Sequence, residues 1–156
     1  MELIHEPNTA IAITFNTFNE TNINPFVAVE FDVLHNPWDD IGGPHVGIDI
    51  NSLRSSNSSV WDPYLNGRTM GAGISYDFIS KNLCVSHTKF SENIDYRQEL
   101  CYEVDLRDYL PEWATVGFSA ATGSSSEFHA IHSWSFNATL RTLQQATRST
   151  TMRRLL

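Results

Sequence analysis

At 156 residues, with 41% apolar content, the chain is long enough for one domain, and a domain of this size buries about 68–70% of the surface its unfolded chain exposes. A net charge of −8 argues against nucleic acid or an anionic membrane as the main partner. No apolar run approaches the length of a transmembrane helix, and Met1–Pro7 lacks the basic start and apolar stretch of a signal peptide, so the chain as written is expected to have no route of its own into the secretory pathway.

In chain order the residues read as strand, turn, strand, without a convincing helical period. Strands are predicted over 11–15, 26–33, 45–51, 70–78, 82–88, 99–105, 114–120 and 130–136, separated by Asn, Gly, Ser and Pro turns, which is the rhythm of an all-β sandwich. Polar Asn51–Asn66 reads as a surface excursion, and Leu106–Trp113 hints at a single helical turn. The predicted domain covers 1–140. Beyond it, 141–156 holds four arginines and no acidic residue, and it is expected to be a basic, disordered tail.

Two cysteines, Cys84 and Cys101, fall in consecutive predicted strands, on the side away from Leu83, Val85 and Leu100. Both a cross-strand disulfide and two free thiols fit, because strand register decides between them. Asn-x-Ser/Thr triplets begin at Asn19, Asn57 and Asn137, about as many as this composition produces by chance.

The chemistry concentrates between Phe26 and Ser55. Val27, Val29, Phe31 and Val33 alternate with Ala28, Glu30 and Asp32, so a strand places both carboxylates on one face, about 6.7 Å apart along the backbone. Val46, Ile48 and Ile50 alternate with His45, Gly47 and Asp49 in the same way. A Pro/Gly-punctuated loop carrying Leu34, Asn36, Asp39 and Asp40 joins the two runs and can fold back over the strand ends. Carboxylate, amide and main-chain oxygens suit a hard ion such as Ca²⁺, and an imidazole among carboxylates suits a transition metal such as Mn²⁺. An arbitrary Glu-x-Asp pair more often lines a solvated sheet face, and a lone histidine often just begins a strand.

The neighbouring residues favour the metal reading. Val27-Ala-Val-Glu-Phe-Asp32, Asn36-Pro-Trp-Asp39 and His45-Val-Gly-Ile-Asp-Ile-Asn-Ser52 resemble the metal-binding segment of legume lectins and of the lectin ectodomains of plant L-type lectin receptor kinases. Leu65-Asn-Gly-Arg-Thr69, Tyr102-Glu-Val-Asp-Leu106, Leu110-Pro-Glu-Trp113, Val116–Gly123 and Ser133-Trp-Ser-Phe136 follow in that family's order, so the resemblance covers residues 15–140.

The resemblance implies a concanavalin-like antiparallel β-sandwich, here incomplete and truncated on its N-terminal side. It implies carbohydrate binding through a loop organised by Ca²⁺ and Mn²⁺, with Glu30, Asp32, the Leu34 carbonyl, Asn36, Asp39 and His45 as metal ligands. Asp39 is favoured over Asp40 because it follows Trp38, and Ser55 matches a serine that holds a metal-bound water. For the sugar the resemblance implies Asn36 together with the backbone of Ser124 and Ser125. Leu34 departs from the aromatic that commonly stacks on the sugar, and Asn8–Thr14, the counterpart of a Gly-rich loop, holds no glycine. Glycans are the implied partners, with homodimer formation through sheet packing, in an extracellular or cell-surface setting.

Two other functions compete with lectin activity. A concanavalin-like glycanase needs a second glutamate after Glu30-x-Asp32, where this chain has Leu34 and His35, so no enzyme is expected. A lectin remnant that no longer binds sugar is the nearer alternative.

Overall fold

The computed structural model describes residues 10–16, 25–61, 69–90, 94–121 and 129–139, with 10–16 and Ala121 described through their backbone alone. Eight strands follow in order: β1 (Ala10–Asn16), β2 (Phe26–Asp32), β3 (His45–Ile50), β4 (Asn57–Val60), β5 (Ala72–Asp77), β6 (Asn82–Lys89), β7 (Tyr96–Glu103) and β8 (Thr115–Ala121). They form a five-stranded sheet in the order β4-β3-β2-β1-β8 and a three-stranded sheet in the order β5-β6-β7. Every pairing is antiparallel.

Period-two alternation sorts β2 and β3 into two faces. Val29 stands opposite Ile48 and Phe31 opposite Val46, and all four are buried against Leu83 and Val85 of β6 and Leu100 of β7. The closed seam between the sheets is aromatic as well as aliphatic. The Phe31 ring meets Trp61 edge-on at 5.6 Å and His87 at 6.4 Å. At the sheet margin Asn57 Nδ2 donates to the Cys101 carbonyl at 2.8 Å, a link from β4 to β7.

Several elements differ from those predicted. Asn57–Val60, expected within a surface excursion, is the edge strand β4, paired with β3 from His45↔Val60 to Ile48↔Asn57. A run of Asn-Ser-Ser carries no apolar alternation, and its ladder is made by backbone groups that sequence does not display. Residues 130–136, predicted as a strand, have no ladder partner among the described residues, and Ile131, Trp134 and Phe136 are exposed. The strand predicted over 11–15 is present as β1, so Asn8–Thr14, matched to a Gly-rich loop, is strand from Ala10 onward. The helical turn is confined to a 3-10 turn at Leu106–Asp108, started by the Asp105 side chain accepting from the Arg107 amide.

Cys84 and Cys101 face each other in the β6–β7 ladder and form a disulfide, which settles the question that register left open. Asn19, Ser124, Ser125 and 140–156 lie outside the described residues.

Candidate metal centre and sugar loop

The face of β2 and β3 that does not enter the core carries the polar set. The ladder pairs Asp32 with His45, Glu30 with Gly47 and Ala28 with Asp49. Glu30, Asp32, Asn36, His45 and Asp49 are all buried, at 8%, 1%, 5%, 2% and 2% exposure. Ligand atoms of Glu30, Asp32 and His45 lie within 4.8 Å of one another. Three carboxylates shielded from water around one imidazole are costly unless a cation or protons compensate.

The local bonds fix how each group presents itself. His45 Nδ1 lies 3.1 Å from the Gly43 carbonyl, an acceptor only, so Nδ1 carries the proton and Nε2 is aimed at Glu30 Oε1, 3.2 Å away. In that tautomer Nε2 is the nitrogen whose lone pair could ligate a metal, and the carbonyl orients the ring. Without a cation a proton fills the Nε2–Glu30 gap. Burial opposes charge on the imidazole, but the bonds to Glu30 and Gly43 and the charges of Glu30 and Asp39 outweigh it, and the His45 pKa is pushed up to about 9. Asp32 is pushed up to about 6, chiefly by burial, with Glu30 and Asp39 adding repulsion and the Leu34 amide and His45 opposing.

The loop closes over this face through Asp32 and Asp39. Asp32 Oδ1 accepts from the Leu34 amide at 2.7 Å, and Asp39 Oδ2 accepts from the Asn36 amide at 2.6 Å. The Asp39 amide donates in return to the Asn36 carbonyl at 3.1 Å. Asp40 is turned outward, its carboxylate bound to Arg54 at 2.6 Å in an exposed pair. Asn36 Nδ2, the nitrogen that the resemblance assigns to a sugar hydroxyl, is directed inward to Asp32 Oδ2 at 3.3 Å.

Behind Glu30 stands a pair that sequence reasoning underused. Ser55 Oγ lies 2.6 Å from Glu30 Oε1 and 2.8 Å from Asp49 Oδ1. A hydroxyl has one proton to give, so a carboxyl proton must make one of the two bonds. Asp49 is the group that burial, and then the charge of Glu30, push upward. Asp49 was visible as a member of the alternating set, but nothing in the sequence placed it against Ser55. A β-carbon on Gly47 would overlap Ser55 Oγ and crowd Glu30, so glycine is required there for the bridge to form.

Comparison with known proteins identifies the family. The legume lectin domain family matches residues 4–153, and the chain belongs to that family. It is 40% identical over 129 residues to an alpha-methyl-mannoside-specific lectin of Arachis hypogaea, covering 80% of this chain and 44% of that protein. It is 44% identical over 130 residues to Lectin 8 of Medicago truncatula, covering 80% and 47%. Among solved structures, a Lotus tetragonolobus seed lectin superposes with a TM-score of 0.64 at 31% identity, over 78% of this chain and 59% of that one. Basic winged bean lectin with Tn-antigen gives 0.62 at 34% identity, over 78% and 55%. The chain spans less than half the length of the Arachis and Medicago lectins. No helix among the described residues is long and apolar enough to cross a membrane.

Proposed function

We propose that the chain is a carbohydrate-binding module whose sugar loop is held in place by Ca²⁺ and a transition metal such as Mn²⁺, with Glu30, Asp32, Asp39, His45, Asn36 and the Leu34 carbonyl as ligands. The observation that carries this reading is the buried convergence of Glu30, Asp32 and His45. The donor set fits, since hard carboxylate oxygens and one oriented imidazole nitrogen are what such ions take. When bound, the ions supply positive charge to buried carboxylates and fix the loop between β2 and β3.

The protein's own groups do the rest. The Gly43 carbonyl holds the His45 tautomer, Ser55 holds Glu30, and Asp39 holds the Asn36 backbone. Turning the Asn36 amide over would direct its oxygen inward and its NH₂ outward to a sugar hydroxyl. The relatives named for alpha-methyl-mannoside and crystallised with Tn-antigen support a glycan as the ligand. Affinity is expected to be weak, because Leu34 offers no ring to stack on a sugar and each unpartnered sugar hydroxyl costs about 1–3 kcal/mol. Ser124 and Ser125 remain part of the proposed sugar loop.

Catalysis is not part of this reading, since Glu30 and Asp32 are sealed from solvent and bonded to His45, Ser55 and the Leu34 amide. Family membership and the Cys84–Cys101 disulfide support an oxidising, extracellular setting.

Isothermal titration of the demetallated full chain with CaCl₂ and MnCl₂ tests the proposal. Saturable uptake that raises the melting temperature, and is lost in Asp32→Ala, is the expected result. A folded sample whose melting curve is the same in EDTA and in excess Ca²⁺/Mn²⁺ would defeat it. A glycan array run with and without the ions then reads the sugar.

A further inference from the structure

Of the three Asn-x-Ser/Thr triplets, the structure describes two, and it separates them. Asn57 opens β4 and is half-buried. Its Nδ2 donates to the Cys101 carbonyl at 2.8 Å, and its Oδ1 accepts from the Ser58 amide at 3.0 Å. Cys101 is held by its disulfide to Cys84, so the acceptor cannot retreat. A sugar on Asn57 Nδ2 would have to occupy the margin where β4 meets β7.

Asn137 has the opposite surroundings. It lies in the irregular stretch 129–139, and Asn137, Ala138 and Thr139 are all exposed. No hydrogen bond among the described residues ties its amide. We infer that, of the two described sequons, Asn137 is an N-glycosylation site of this chain and Asn57 is closed to modification in the folded protein. The step joins Asn137 Nδ2 to the anomeric carbon of an oligosaccharide carried on a lipid pyrophosphate. The bond from that carbon to the pyrophosphate oxygen breaks, its electron pair leaves on the phosphate, and the transferase takes up the amide proton. Transfer reaches a chain before it folds, so Asn57 is open to it briefly. A chain modified there cannot close β4 on β7 and is removed from the folded pool.

The position has a physical consequence. Trp134 and Phe136, 61% and 57% exposed, lie within three residues of Asn137, and a branched glycan there covers apolar surface that water otherwise meets.

The test directs the full chain into the secretory pathway of a eukaryotic host with an added cleavable signal, then maps glycopeptides by mass spectrometry before and after peptide N-glycosidase. Folded protein is expected to carry a glycan at Asn137 and none at Asn57. Asn137→Gln removes that glycan, and Asn57→Gln leaves it in place. If the chain is retained, the same mapping is made on the protease-resistant, folded fraction of the microsomal pool. A glycan on Asn57 in folded protein, or a bare Asn137, would overturn the inference. The result is independent of sugar binding, since a chain glycosylated at Asn137 that binds no glycan upholds this site while defeating the lectin reading.

Discussion

Ser55 Oγ occupies the space that a β-carbon on Gly47 would fill, and from there it bridges the buried carboxylates of Glu30 and Asp49. Two residues on different segments thus share one volume, and neither is free to change alone. Gly47→Ala should push Ser55 off both carboxylates and destabilise the fold by about 3 kcal/mol, the scale of losing hydrogen bonds to buried charged groups. Urea denaturation of Gly47→Ala, Ser55→Gly and the double variant measures the coupling. If the alanine costs as much in the Ser55→Gly background as alone, the shared-volume account is wrong.

Asp39 and Asp40 provide a second test. Asp39 bonds the Asn36 amide and its charge reaches Asp32 and His45, whereas Asp40 pairs with Arg54 in solvent. Asp39→Asn should abolish ion uptake in calorimetry. Asp40→Asn should bind ions as the parent does and change stability by less than about 1 kcal/mol, the limit for an exposed pair. The reverse order would show that Asp40 is the ligand.

The pH dependence has a defined sign. Folding raises the His45 pKa from 6.5 to about 9. The metal-free folded state therefore holds that proton more tightly than the unfolded chain, and the stability it contributes is complete below pH 6.5 and lost by about pH 9. The loss is about 3 kcal/mol at a conversion of roughly 1.4 kcal/mol per pKa unit. Asp32, raised to about 6, and Asp49, also raised, act in the same sense at lower pH. Ions bound at the proposed site should reverse the trend, because they would compete with the protons for the same atoms. Denaturation in EDTA across pH 6–9 should show the decline, and His45→Gln should remove it between pH 8 and 9. An unchanged slope in that variant would count against His45.

Reducing the Cys84–Cys101 bond releases a loop whose ends are 17 residues apart. Chain-entropy reasoning gives about 3 kcal/mol for a loop of that length. Both cysteines lie on the outer face of the three-stranded sheet, so Cys84→Ser/Cys101→Ser should leave Leu83, Val85 and Leu100 packed as before. Denaturation midpoints with and without a phosphine reductant check this. A double-serine variant as stable as the oxidised parent would show that the bond adds nothing.

Sequence made the β2–β3 half of the molecule legible, because Val27, Val29, Phe31, Val46 and Ile48 alternate cleanly and period two assigns faces without knowledge of pairing. The trio Glu30, Asp32 and His45 was legible for the same reason. What sequence could not supply was everything set by register or by return contacts. The Cys84–Cys101 bond depended on which residues of β6 and β7 stand opposite, β4 had no apolar signature, and the Ser55 bridge joins residues 25 apart. The direction of the Asn36 amide likewise depends on where Asp32 lies after the loop has closed.

The two faces of the β2–β3 hairpin also govern how the chain finds its pairing. A slip of one residue in a strand exchanges its inward and outward sets. For β2 that slip would drive Glu30 and Asp32 into the space against Leu83 and Val85, and carry Val29 and Phe31 out to the side that holds His45 and Asp49. Such a state would bury carboxylates with no imidazole, hydroxyl or loop amide to meet them. The cluster proposed to hold ions would therefore also act as a proofreading device for strand alignment. Ions present during folding would sharpen that discrimination, since they reward a single register.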